Sequence, residues 1–295
     1  MRRLFITGGT GFIGRHLIQR LLSEGYELTL LIKKGESKDL HQCHVFEYDY
    51  EINHLIDHFN ICTYDAVIHL ASLYINQHQT SQVDDLLHSN IQLGTHILEA
   101  MSKTGIKHFI NTSSFTQHYD STCDYHPVSL YAATKQAFED IILFYTETFN
   151  MNALTLMLYD TYGKNDTRPK LINLLVDAAN NGKILDMSPG LQEINYSYID
   201  DIMEAYVLGL DYVSIHEGFH RYAVRSSETY SIQEIVQVVE EVLGKKIETN
   251  FGALPYRNRE IMKITTEVPI LPGYYPKYTL RDGLKDLLGI GEVDE

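Results

Sequence analysis

The chain has 295 residues, 44% of them hydrophobic and 21% charged, a length that suggests about two domains with a sizeable core. The formal net charge of -15 argues against binding to nucleic acid or to anionic membranes, although local cations can still hold an anionic ligand. The few, widely spaced cysteines Cys43, Cys62 and Cys123 indicate no disulfide framework, and no apolar run approaches transmembrane length. We therefore expect a cytoplasmic protein.

Strand and helix patterns alternate through the first half of the chain. The predicted strands are residues 3–7, 28–32, 65–71, 109–112 and 153–158, and the predicted helices are residues 12–23, about 81–102, and 130–149. This alternation predicts an α/β fold with a doubly wound parallel sheet covered on both faces by helices.

After about Gly163 the regularity weakens and prolines become frequent. Helical patterns continue at 171–181, 202–210 and 231–243, the last with Ser231 as a plausible cap. We predict a dinucleotide-binding domain at 1–164 that the chain rejoins at about 196–225. Residues 165–195 and 226–295 would then form a smaller, mixed substrate domain.

A glycine-rich turn joins the first predicted strand to the first predicted helix. Its sequence is Thr7-Gly8-Gly9-Thr10-Gly11-Phe12-Ile13-Gly14. Glycines at 8, 11 and 14 permit a sharp turn and a close approach of the backbone to a pyrophosphate, which the helix N-terminus then attracts. The turn predicts dinucleotide binding by Gly8, Thr10, Gly11, Phe12, Ile13 and Gly14.

The end of the second strand bears on which dinucleotide binds. An acidic residue there accepts hydrogen bonds from the ribose of NAD, but this chain has Lys33 and Lys34 instead. Two cations suit a 2′-phosphate. We therefore expect NADP(H) to be preferred, with NAD(H) still possible.

Proton-transfer chemistry is indicated by a tyrosine and a lysine four residues apart on a predicted helix. Tyr131 and Lys135 share one helix face, so the phenol and the ammonium can enter one site. Ser113 and Ser114 end a predicted strand, where parallel sheets bind ligands, and a serine hydroxyl there can orient a substrate carbonyl.

These segments together resemble the extended short-chain dehydrogenase/reductase family. The resemblance includes the glycine turn, His69-Leu70-Ala71, Asn90-Ile91-Gln92-Leu93-Gly94-Thr95, the Ser113-Ser114 strand end, the pair Tyr131 and Lys135, and Tyr198-Ile199-Asp200-Asp201. It implies a Rossmann domain, a nicotinamide cofactor and a second domain that grips a nucleotide-sugar. By this resemblance Tyr131 is the general acid/base, Lys135 lowers its pKa and holds the nicotinamide ribose, and Ser114 polarises the sugar carbonyl. Asp49 is expected at the adenine, and Leu70, Ala71 and Asn90 beside the cofactor.

Two stretches resemble one subgroup of that family more specifically. Residues 111–119 with 130–140, and Leu158-Tyr159-Asp160-Thr161-Tyr162-Gly163, look like the 4-ketoreductases that form CDP-abequose, CDP-paratose or dTDP-fucose. This implies NADPH-dependent reduction of the C4 ketone of a nucleotide-linked deoxysugar. An NAD-dependent 4-epimerase and a non-catalytic dinucleotide sensor are the alternatives. A 4,6-dehydratase ranks lower, because Phe115 and Thr116 stand where it carries an Asp-Glu pair.

The substrate's diphosphate requires cations in an acidic protein. The resemblance places Arg257 at a phosphate-binding position, and Arg168, Lys170 and Leu171 are further candidates for the substrate side. The family's Arg-x-x-Asn reads Met157-Leu158-Tyr159-Asp160 here, and the arginine often found before Tyr198-Ile199-Asp200-Asp201 is missing.

Two further expectations concern assembly and metals. The helices at 81–102 and 130–149 are candidates for a homodimer interface. His54 and His58 share a helical face near His41, Cys43 and His44, but the spacing gives no convincing third ligand, and we predict a polar surface helix without a metal.

Overall fold

The structure is a computed structural model that describes residues 2–35, 42–119 and 121–290. The strands are β1 (Arg3–Thr7), β2 (Glu27–Lys33), β3 (His44–Tyr48), β4 (Ala66–His69), β5 (His108–Ser114), β6 (Asn152–Leu158), β7 (Asp160–Tyr162), β8 (Leu185–Met187), β9 (Glu193–Ile194), β10 (Tyr196–Tyr198), β11 (Gly218–Val224), β12 (Tyr230–Ser231) and β13 (Thr249–Phe251). The helices are α1 (Phe12–Ser23), α2 (Ile52–Ile61), α3 (Val83–Leu87), α4 (Leu93–Thr104), α5 (Leu130–Phe149), α6 (Leu171–Asn181), α7 (Ile199–Ile215), α8 (Ile232–Leu243) and α9 (Leu280–Leu288).

Seven parallel strands form the central sheet in the order β3-β2-β1-β4-β5-β6-β11. Side chains alternate between two cores: on β1, Leu4 and Ile6 face α1 and α7, while Phe5 faces α2, α4 and α5. All three are fully buried. Apolar side chains on both faces are what a parallel sheet between two helix layers requires, so the predicted Rossmann-type α/β fold is confirmed.

The sequence patterns located most elements of this half. The bounds of β1, α1 and α5 match the predicted ranges, and the helix expected at 81–102 is divided by one π-helical turn at His88–Gln92. β3 was not predicted, whereas the polar helix predicted around His54 and His58 is α2. β3 is the edge strand and four of its five residues are exposed or half-buried, so it carries little apolar signal.

The second half adds short elements beside the carboxyl ends of the sheet strands. Three two-stranded ladders, β7–β10, β9–β12 and β8–β13, join segments far apart in sequence. The Ser231 cap is confirmed: its hydroxyl accepts from the Glu234 amide, and the Glu234 carboxylate accepts from the Ser231 amide in return. α7 is longer than the predicted 202–210, and β11 returns to the main sheet. Within the described ranges, no helix combines the length and the apolar character needed to cross a membrane.

Candidate active site

The glycine turn between β1 and α1 packs too closely for side chains. Gly8 has φ +72°, and its carbonyl accepts a hydrogen bond of 3.0 Å from the Gly11 amide. A Cβ on Gly8 would lie 2.5 Å from the Ala71 nitrogen, and one on Gly14 would lie 2.3 Å from the Gly8 oxygen. α1 starts after Gly11 with no side-chain cap on its first amides. This backbone cradle fits the pyrophosphate of a dinucleotide.

The segment after β4 is held against this turn by side chains. Thr7 Oγ1 lies 2.8 Å from His69 Nδ1 and accepts from the Ala71 amide at 3.2 Å. Asn90, in the π-helical turn, accepts from the Leu73 amide at 2.7 Å and donates to Thr134 Oγ1 at 3.0 Å. Asn90 is 1% exposed. Its amide therefore fixes the segment that follows Leu70 and Ala71 and is not available to a ligand, which corrects its expected contact with the cofactor.

The ends of β2 and β3 bring opposite charges together. Lys33 and Lys34 are exposed, and Lys34 Nζ lies 3.9 Å from Asp49 Oδ2. Asp49 also accepts from the Glu51 amide at 3.2 Å and lies 2.9 Å from His54 Nδ1. The predicted lysines and the predicted adenine-side carboxylate thus lie at one edge of the sheet.

The predicted catalytic residues converge at the carboxyl end of β5. Ser114 is the last residue of β5, and Tyr131 and Lys135 lie in the first turns of α5, which Ser129 caps. The phenol of Tyr131 interacts with the side chains of Ser72 and Ser114. Lys135 Nζ donates to the Thr112 carbonyl at 3.0 Å and lies 5.8 Å from the centroid of the Tyr131 ring. A hydroxyl, a phenol and an ammonium, separated along the chain, share one site.

Burial governs the electrostatics of this group. It raises the pKa of Tyr131, against the opposing effect of the hydrogen bonds from Ser72 and Ser114. It lowers the pKa of Lys135 to about 8, opposed by the negative charge of Glu139. Desolvation is the largest of these influences on Tyr131, because burial disfavours the charged phenolate. Tyr131 is a protonated acid at neutral pH.

Ser113 points away from this group. It is 3% exposed, and its hydroxyl lies within hydrogen-bonding distance of side-chain oxygens of Gln117 and Glu139, one of which accepts its proton. Glu139 lies 3.5 Å from an Arg221 guanidinium nitrogen. The expected substrate contact of Ser113 is wrong, because neighbouring residues of a strand face opposite sides of the sheet.

The predicted substrate-side residues differ in how closely they are connected to the catalytic group. Lys170 Nζ lies 4.6 Å above the ring of Tyr74 and 3.6 Å from Asp160 Oδ1, and the Tyr74 ring meets the Tyr131 ring edge-on at 4.9 Å. Lys170 therefore belongs to the surroundings of the site. For the other three candidates the structure gives contacts with other groups. Leu171 packs on the apolar core, and Arg168 forms an ion pair with Asp166 above the Phe12 ring. Arg257 is exposed, in a turn whose amide donates to the Glu260 carboxylate.

The histidines singled out for a metal bind other groups. His54 lies against Asp49, and His58 Nε2 is 2.8 Å from the Tyr64 hydroxyl. Among the residues that the structure describes, no three metal-ligating side chains lie together. His41 falls outside those residues.

Sequence reasoning missed three residues at the site: Ser72, Tyr74 and Thr116. The first two follow β4, and Thr116 Oγ1 lies 2.8 Å from Ser114 Oγ. Each comes within five residues of the carboxyl end of a predicted parallel strand. That position was the available signal, since ligands bind at this edge.

Comparison with known proteins assigns the family. Residues 4–224 match the NAD dependent epimerase/dehydratase family. The chain belongs to this family. It is 25% identical to the CDP-abequose synthase of Salmonella muenchen, with 99% of this chain and 98% of that protein covered. It is 28% identical to the CDP-abequose synthase of Yersinia pseudotuberculosis, with 88% and 90% covered.

Solved structures agree with the fold of this family member. MoeE5 in complex with UDP-glucuronic acid and NAD superimposes with a TM-score of 0.85 at 22% identity, covering 98% of both chains. UDP-glucose 4-epimerase from Thermotoga maritima, with UDP-glucose, superimposes with a TM-score of 0.84 at 19% identity and the same coverage. At these identities the likeness establishes the Rossmann-type fold.

Proposed function

We propose that this protein reduces the C4 ketone of a nucleotide-linked 4-keto-6-deoxysugar with NADPH. The observation that carries the proposal is the meeting of Ser114, Tyr131 and Lys135 at one strand end, followed by Phe115 and Thr116 and not by two carboxylates. The two CDP-abequose synthases that resemble nearly the whole chain support the same substrate class.

The side chains suit proton delivery. The Ser114 hydroxyl donates a hydrogen bond to the ketone oxygen, and Tyr131, whose pKa burial raises, holds the proton that the developing alkoxide takes. Lys135 holds the start of α5 against β5 through its hydrogen bond to the Thr112 carbonyl. In this proposal it also binds the ribose hydroxyls of the cofactor. When bound, the reduced nicotinamide supplies the hydride.

The preference for NADPH depends on the end of β2. Lys33 and Lys34 stand where an NAD-binding chain carries an acid, and exposed ammonium groups there suit a 2′-phosphate. Asp49, 3.9 Å from Lys34, keeps NADH usable by offering an acceptor nearby.

The second candidate is a nucleotide-sugar 4-epimerase. The structural neighbours favour it, since MoeE5 was solved with NAD and the Thermotoga maritima protein is a UDP-glucose 4-epimerase. An epimerase first oxidises its substrate and needs Tyr131 as a base in that step, whereas a reductase needs it as an acid.

One experiment separates the two. The protein is incubated with NADPH and CDP-, dTDP- or UDP-linked 4-keto-6-deoxyglucose, the loss of absorbance at about 340 nm is followed, and the C4 configuration is read by NMR. Stoichiometric oxidation of NADPH with one C4 epimer formed supports the reductase. Interconversion of UDP-glucose and UDP-galactose without added NADPH supports the epimerase and excludes our first proposal.

We also propose a homodimer built on α3, α4 and α5. Leu87, Leu143, Phe144 and Phe149 on these helices are 37–55% exposed, and a second copy would cover them. Light scattering behind a sizing column gives the mass, and a monomer at micromolar concentration contradicts the proposal.

A further inference from the structure

Arg225 is a half-buried arginine without a counter-charge. It directly follows β11, and its Nε atom is buried with no hydrogen-bond partner in the described chain. Five other arginines pair with carboxylates: Arg3, Arg20, Arg168, Arg221 and Arg281. The remaining arginines have no such pair among the described residues but are exposed to solvent: Arg2, Arg15, Arg257 and Arg259. Arg225 pairs with no carboxylate of the described residues, in a protein whose net charge is -15. A buried N–H without an acceptor is costly, which points to an acceptor supplied by a ligand.

The strand register places Arg225 on the ligand-binding edge of the sheet. Ser114, Leu158 and Val224 are in register across β5, β6 and β11, so Arg225 lies one residue beyond this row, next to Tyr159. Burial raises the pKa of Tyr159 to about 12 and the charge of Arg225 opposes the rise, in keeping with their proximity. Two strand spacings, roughly 10 Å, separate its backbone from Ser114.

Arg225 also adjoins the segment in which this chain lacks an arginine. The amide of Ser226, its neighbour, donates to Asn195 Oδ1 at 2.9 Å, and Asn195 Nδ2 donates back to the Ser226 carbonyl at 2.9 Å. Asn195 immediately precedes β10, which ends at Tyr198, and the family resemblance expects an arginine before Tyr198-Ile199-Asp200-Asp201. Tyr196 of β10 is in register with Asp160, the partner of Lys170, so the substrate side of the site is adjacent.

We propose that Arg225 binds the diphosphate of the nucleotide-linked substrate and takes the place of the arginine missing before Tyr198-Ile199-Asp200-Asp201. The proposal rests on the proposed function for the substrate class. In a nucleotide-sugar the diphosphate is attached at C1, across the ring from C4. Its place is therefore separated from Ser114 and Tyr131 by the sugar ring, and Arg225 is likewise separated from Ser114 by two strand spacings. A guanidinium fork matches two phosphate oxygens and gives the buried Nε its acceptor.

Calorimetric titration of the whole protein with CDP, UDP and dTDP tests the assignment without requiring turnover. For the nucleotide that wild type binds most tightly, we expect Arg225→Gln to weaken binding about 10- to 30-fold and Arg225→Lys about 3- to 5-fold. Arg281→Gln, an exposed arginine paired with Glu241, is the matched control and leaves the affinity unchanged. Binding of the matching nucleoside, which has no phosphates, changes less than about twofold in Arg225→Gln, because only the phosphate contact is lost.

The outcomes separate this inference from the proposed function. Wild-type affinity for the nucleotide in Arg225→Gln overturns the role of Arg225 and leaves the reductase proposal standing. If wild type binds none of the three nucleotides, the proposed substrate class fails and the inference fails with it. Should Arg225→Gln not fold, phenylglyoxal labelling of wild type decides: protection of Arg225, but not of Arg281, by the bound nucleotide supports the inference, and equal labelling overturns it.

Discussion

The candidate site offers mainly backbone at its glycine turn, whereas the side proposed for the substrate offers long side chains. The glycine turn offers amides fixed by β1 and α1, and a Cβ on Gly8 or Gly14 would collide with backbone at 2.5 or 2.3 Å. In our proposals the substrate end depends on Lys170 and Arg225, which come from segments 55 residues apart in sequence. A backbone cradle tolerates no substitution, while a set of side chains can lose a member and gain another from a different strand.

This difference predicts two kinds of response to mutation. Changes at the glycine turn and at the catalytic residues should have the largest effects on folding or turnover. Changes at the substrate end should be graded, because several cations share the negative charge.

The largest effect is expected at Tyr131, where the two ends meet. Tyr131→Phe removes the proton donor and should lower kcat about 10³-fold, while the Kd for NADPH stays within about twofold. Stopped-flow turnover and fluorescence titration measure the two quantities. Tyr275→Phe is the control, since Tyr275 is 79% exposed. A Tyr131→Phe enzyme with activity near wild type removes the phenol from the mechanism.

Next in size is the glycine turn. Gly8→Ala combines φ +72° with a Cβ 2.5 Å from the Ala71 nitrogen, whereas Gly105→Ala has φ +78° and nothing within 4 Å. We expect urea unfolding to show a loss of about 3 kcal/mol for Gly8→Ala and about 1 kcal/mol for Gly105→Ala. Equal losses would show that conformational strain alone governs the position and that close packing against Ala71 is unimportant.

The pH dependence of kcat tests the buried lysine. Burial lowers the pKa of Lys135 to about 8, so its ammonium is lost as the pH rises through that value and kcat should fall. The negative charge of Glu139 opposes the lowering, so Glu139→Gln should move this alkaline limb to lower pH by about one half to one unit. Tyr131 has a pKa raised by burial, and the pKa of His69 is lowered to about 3, so neither titrates in this window. An unmoved limb in Glu139→Gln would assign it to another group.

A smaller effect is expected at the end of β2. Replacing Lys33 and Lys34 together by serine should raise KM for NADPH about tenfold and leave KM for NADH within about twofold. Initial rates with both cofactors at saturating sugar provide the comparison. A parallel change for both cofactors would mean that the lysines contact the shared part of the dinucleotide, or only stabilise Asp49.

The same contrast explains which parts were predictable from sequence. The glycine turn, Ser114 and the pair Tyr131 and Lys135 lie within short segments whose spacing fixes their geometry, and the sheet with its apolar strands follows from periodicity. Ser113 was misplaced because two adjacent serines at a strand end face opposite ways, and the pattern alone did not say which faces the site.

The residues that could not be predicted depend on contacts between segments far apart in the sequence. Asn90 was expected at the cofactor, but a π-helical turn directs its amide to Leu73 and Thr134. The orientation of Lys170 depends on Tyr74 and Asp160, which no local pattern connects to it. Arg225 lies at the end of β11, a strand whose position in the sheet is set by pairing with β6, 66 residues earlier.

The smallest predicted effect is a gain in binding affinity, whereas the other predicted effects are losses. Asp160 stands where the family pattern has asparagine, and its carboxylate lies 3.6 Å from Lys170 Nζ. Asp160→Asn removes a negative charge from the diphosphate side and frees Lys170, so binding of the preferred nucleoside diphosphate should tighten about threefold, near 0.6 kcal/mol by estimate. Calorimetry detects this change, and Asp186→Asn, on β8, is the matched control. Weaker binding in Asp160→Asn would show that the carboxylate itself accepts a hydrogen bond from the substrate, and the substrate end would then depend on an anion as well as on its cations.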